Sequence, residues 1–105
     1  TIVEGEPDAV VAYINGQVQK ARENGEKTGV IGTDECAGRY SADVVKSVGS
    51  REDEESIARH LFTALREFDD ENVERMYSES FDSAGLGQAI MNRLLKAAGH
   101  HVLHV

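Results

Sequence analysis

The chain of 105 residues has one cysteine, Cys36, and one proline, Pro7. A single thiol excludes an internal disulfide framework and fits a reducing, cytoplasmic setting. No run approaches the ~20 apolar residues that a membrane span requires, and Thr1-Ile2-Val3-Glu4 has none of the marks of a signal peptide. Basic side chains are scarce: 11 Lys and Arg face 19 Asp and Glu, for a net charge of −8. That balance argues against wrapping a phosphate backbone, so direct nucleic-acid binding is not expected, nor is a membrane partner. What remains is 40% hydrophobic, enough for one modest core and one domain over residues 1–105.

The hydrophobic pattern then supplies the elements. Thr1-Ile2-Val3-Glu4 reads as a first strand. Pro7 and Asp8 suit a first helical turn, Val11, Ile14, Val18 and Ala21 recur at helical spacing, and Asn24-Gly25 ends the helix. Gly16 inside it reads as tolerated. Thr28 to Thr33 predicts a buried strand and Asp43 to Val48 another, reached through a polar loop carrying Cys36 and Tyr40. Ser50 with Asp53 resembles a capping box opening a long helix whose apolar face is Ile57, Leu61, Ala64, Leu65 and Phe68. Val73 to Glu79 predicts a fourth strand. Leu86, Ala89, Ile90, Leu94 and Ala97 stripe a third helix, and His100 to Val105 a last strand. The order β-α-β-β-α-β-α-β predicts a three-layer α/β, Rossmann-like domain with a mainly parallel five-stranded sheet. Its weakest link is the second-to-third strand connection, short for a parallel crossover.

Ligands of open parallel sheets sit beyond the C-terminal ends of the strands. That edge gathers Thr33, Asp34 and Glu35, then Gly49, Ser50 and Arg51, then Glu79, Ser80 and Phe81, and the loop Asp82 to Gly87. Gly85-Leu86-Gly87 before a helix offers free N–H groups to an anion such as a nucleotide phosphate. It lacks a third glycine and does not follow the first strand, so it reads foremost as a flexible turn. Asn92 and Arg93 are either an exposed polar pair or a face toward a partner. Arg93 can fork onto a carboxylate, with Glu79 as an internal candidate.

Other chemistry is thin. His100 and His104 on one strand lie ~13 Å apart and His101 faces the other way, so they cannot chelate one ion. Cys36 sits beside Glu35 without a flanking histidine and reads as an ordinary loop thiol. No catalytic residue, metal site or cofactor of this domain's own is expected. Glu52-Asp53-Glu54-Glu55 reads as a solvated helix start.

The segments in their order resemble a known family. Gly29-Val30-Ile31-Gly32-Thr33-Asp34-Glu35, Val48-Gly49-Ser50-Arg51, Ile57 to Asp69, Ser78-Glu79-Ser80-Phe81 and Gly85 to Ala98 are similar to the C-terminal part of long-form, YrdC-type threonylcarbamoyl-AMP synthases. The resemblance covers nearly the whole chain. It implies a non-catalytic, Rossmann-like accessory domain, joined in the parent protein to an N-terminal catalytic domain. The parent would condense L-threonine, bicarbonate and ATP, with magnesium, for threonylcarbamoyladenosine modification of tRNA. The lysine- and arginine-rich catalytic motif belongs to that other domain. His100, His101 and His104 depart from the small or basic residues usual there. The edge from Ser80 to Arg93 is then the candidate interdomain face. A nucleotide-sensing module and a dimerisation domain are the alternatives.

Overall fold

A computed structural model describes residues 1–81 and 88–105. The strands are β1 (Ile2–Glu4), β2 (Thr28–Gly32), β3 (Val44–Ser47), β4 (Arg75–Glu79) and β5 (Val102–His104), and the helices are α1 (Pro7–Glu23), α2 (Glu54–Asp70) and α3 (Gln88–Ala97). The expected order holds, and the sheet runs β3-β2-β4-β1-β5 with every pairing parallel.

Strand period sorts the core into two layers. Val3, Val30 and Val45 face α1, packing with Val10, Ile14 and Val18. Their neighbours Ile2, Ile31 and Val44 face α2 and α3, packing with Leu61, Leu65, Phe68 and Leu94. The short β2–β3 connection still makes a parallel pair, because a single 3-10 turn (Ala37–Arg39) replaces a crossover helix. Its flanking Cys36 and Tyr40 bury into the α1 layer. Cys36 is therefore a loop thiol, as expected, but one buried in the core.

Local corrections are small. Asp53, not Ser50, caps α2, accepting from the Ser56 N–H at 3.0 Å. Gly16 has open space around it, as tolerance requires. The buried stripe of α3 is Met91 and Leu94, with Ala89 and Ala97 exposed. His100 precedes β5 at φ 60°, so it does not share a strand with His104.

Two features join the loops to the sheet. Gly49 holds φ +105°, and a Cβ there would press on the Ser56 hydroxyl. Gly49→Ala should cost about 1–3 kcal/mol through backbone strain and that contact, read as a lower thermal midpoint. Asp43 ties the start of β3 to that of β2: its carboxylate accepts from the Thr28 N–H at 2.9 Å and the Thr28 hydroxyl at 3.2 Å. The Thr28 backbone N–H chiefly holds the Asp43 carboxyl below the usual carboxylate range. A depressed folded pKa contributes stability above the unfolded value of about 3.9 and loses it as pH falls through the folded one. Asp43→Asn should therefore lower the melting temperature at pH 6 and flatten its fall between pH 5 and 3.

Candidate functional site

All-parallel strands place Glu4, Gly32, Ser47, Glu79 and His104 at one edge, with the N-termini of α1, α2 and α3. There a cleft of about 770 Å³ opens, walled by Val3, Val10 and Phe81 and by a set of polar groups. At its centre is Glu79, 4% exposed. One carboxylate oxygen accepts from the Thr33 N–H at 3.0 Å and the Tyr40 hydroxyl at 2.9 Å. The other accepts from the Thr33 hydroxyl at 3.0 Å and from Arg51 at 2.6 Å. Four donors offset the cost of burying this charge. Burial, and then the neighbouring Glu79 carboxylate, push the Tyr40 hydroxyl well above the ordinary tyrosine range, so it stays a donor.

Gly32 makes the cluster possible. A Cβ there would lie 2.7 Å from a Glu79 oxygen and 2.9 Å from the Tyr40 ring, so only glycine lets both side chains meet over β2.

Arg51 links this cluster to the rim. Its guanidinium also donates to the Ser80 carbonyl at 2.8 Å and lies 5.5 Å from the Phe81 ring centroid. Its backbone N–H donates to Glu35 at 2.9 Å. Ser80 donates to Glu4 at 2.9 Å, and the other Glu4 oxygen meets His104 Nδ1 at 3.0 Å. Asp34 accepts from Ser47, and the Ser50 hydroxyl accepts from the Glu52 N–H at 3.4 Å within its turn. Arg39, on the same rim, pairs with Asp8 at 2.9 Å.

Of the residues singled out from sequence, Thr33, Arg51, Glu79 and Ser80 line this cleft together, with Asp34 and Ser50 in the adjoining turns. Gly85 and Gly87 lie outside the described residues. Asn92, on the exposed side of α3, accepts from Gln88 at 2.9 Å. Arg93 lines a different cleft at the opposite edge, and the cation on Glu79 is Arg51 instead. Glu35, which the sequence also placed at this edge, lines the cleft too, whereas Tyr40 and Glu4 were missed as partners. Tyr40 and Glu79 are 39 positions apart, so no local pattern could announce them. Among the described residues no group of three or more His, Cys, Asp or Glu is placed to hold a metal ion, and no helix is long and apolar enough to cross a membrane.

Comparison with known proteins gives a consistent picture. Residues 1–99 match the family described as threonylcarbamoyl-AMP synthase, C-terminal domain. The threonylcarbamoyl-AMP synthase of Bacillus subtilis (strain 168) is 46% identical over 102 residues, 97% of this chain and 28% of the relative. That of Pyrococcus abyssi is 42% identical over 104 residues, 99% of this chain and 29% of the relative. A crystal structure of a C-terminal Sua5 domain from Pyrococcus horikoshii superposes with a TM-score of 0.74 at 36% identity, covering 99% of this chain and 93% of that one. The chain thus spans under a third of the length of the curated relatives it matches.

Proposed function

The chain belongs to the family of C-terminal domains of threonylcarbamoyl-AMP synthases, and from that premise we propose that it is a non-catalytic domain whose C-terminal-edge cleft docks on the catalytic domain of a longer enzyme. That enzyme would form threonylcarbamoyl-AMP from L-threonine, bicarbonate and ATP in the cytoplasm, with ATP and its magnesium held by the catalytic domain.

The observation that carries this reading is the saturation of Glu79. A general base needs a free lone pair and a nucleophile beside it. Glu79 instead has donors on both oxygens, and Arg51 is spent on Glu79 and Ser80. Such a wall is rigid and suits a docking face. Its rim is acidic, since Glu4, Glu6 and Glu35 outnumber Arg39 and Arg51, both of which are already paired. A basic surface on the partner domain would complement it, as the lysine- and arginine-rich motif implied by the resemblance would.

Glu6 is the residue to change. It is exposed on the rim, and its side chain makes no cap to α1. Glu6→Lys in the longer enzyme should lower threonylcarbamoyl-AMP formation about tenfold, by setting like charge against a basic partner surface. The melting temperature of this domain should fall only by the few degrees that a lost carboxylate at the α1 N-terminus costs, about 0.3–1 kcal/mol. Full activity would sink the docking reading. The volume of the cleft favours a second reading, a small-ligand site, because about 770 Å³ is within the range of nucleotide-sized pockets. Saturable NMR shifts at Thr33, Tyr40 and Arg51 on adding ATP, AMP or threonine to the 105-residue chain would support it, and none with any of them would remove it.

A further inference from the structure

At the opposite edge, where the strands begin, a second cleft of about 500 Å³ lies between α2, α3 and the start of β4. Its floor is apolar, with Leu65 and Phe68 beneath half-buried Val73 and Met76. Exposed Arg93 and Lys96 of α3 stand on one rim, Asp69 and Glu74 on the other.

Thr1 lines this same cleft. Its main-chain nitrogen donates to the Met76 carbonyl at 3.0 Å, and its carbonyl accepts from the Ser78 N–H at 2.9 Å. Those two bonds are one step of a parallel ladder. The register directs the next N–H of β4 on that side, Met76's, toward the residue two positions before Thr1. Relatives are more than three times as long as this chain, which matches their C-terminal domain. In a protein of that length the remainder reaches this domain through Thr1.

We propose that this cleft seats the connecting segment of the longer protein: the residues just before Thr1 extend β1 along the Arg75–Met76 end of β4. Ile2 points toward the α2 and α3 layer. Strand alternation therefore turns the residue immediately before Thr1 to the same side, over Val73 and Met76. That residue should be apolar. A segment held this way fixes the domain's orientation from its base, whereas a free tether would let it swivel. The inference stands apart from the docking reading, which concerns the other edge.

Hydrogen exchange read by mass spectrometry tests it, comparing the longer protein with the 105-residue chain, whose relative crystallises as an isolated domain. The connecting segment should be protected, and the Met76 N–H, the one amide of that stretch that faces it, should exchange about tenfold or more slowly in the longer protein. Glu74 and Arg75, already bonded to the Lys27 carbonyl, should change little. A cysteine placed just before Thr1 should form a disulfide with Ala97→Cys, on the cleft wall, and not with Gly16→Cys, exposed on α1. A segment exchanging at the unstructured rate, or disulfides formed equally at both positions, would overturn the proposal.

Discussion

Glu79→Ala is expected to cost about 3–5 kcal/mol of folding stability, the usual result of breaking a buried charge cluster from one side. The Thr33 N–H and the Tyr40 hydroxyl would each be left in the interior without an acceptor, at about 1–3 kcal/mol apiece, on a carboxylate site only 4% exposed. Arg51 adds less, because its side chain is 47% exposed and can turn to water. Glu79→Gln keeps the shape and one acceptor oxygen, so it should fall between wild type and alanine. Circular dichroism melts read this directly, at about 4–8 °C per kcal/mol for a domain of this size. A loss under 1 kcal/mol for Glu79→Ala would mean that the cluster is rearranged in solution. In the longer enzyme the same change should also loosen the cleft wall, because Arg51 would release the Ser80 carbonyl.

Leu94→Ala should cost about 2–5 kcal/mol. Leu94 is fully buried and belongs to the same core layer as Leu61, Leu65 and Ile31. Of the other residues of α3 only Met91 is buried, with half-buried Ile90 and Leu95 packed beside it, so Leu94 is the most deeply set anchor of the helix on the sheet. The resulting void would be lined by side chains of α2 and the sheet, which are fixed by their own packing. A loss under 1 kcal/mol would show that α3 slides to close the gap. Leu94→Met, close in volume, should stay within about 1.5 kcal/mol of wild type.

The sequence by itself determined the element order, because helices and strands are set by local period and by caps. Ile14 and Val18 fall on one helical face whatever else the chain does, and Asn24-Gly25 ends that helix. It also set the layering: adjacent residues such as Val30 and Ile31 must face opposite ways in a strand. The family, too, was legible in the ordered segments, without any site geometry.

Tertiary structure alone decided who meets whom. Strand order put β4 between β2 and β1, and that brought Glu79 under Thr33 and Tyr40, 46 and 39 positions away. Arg51 and Arg93 look alike in the sequence as cations near that edge. The turn after β3 delivers Arg51 onto Glu79, while the rotation of α3 carries Arg93 to the far cleft. Charge and hydrogen-bond partners act over a few ångströms of space with no regard for separation along the chain, so their pairing exists only once the sheet has closed.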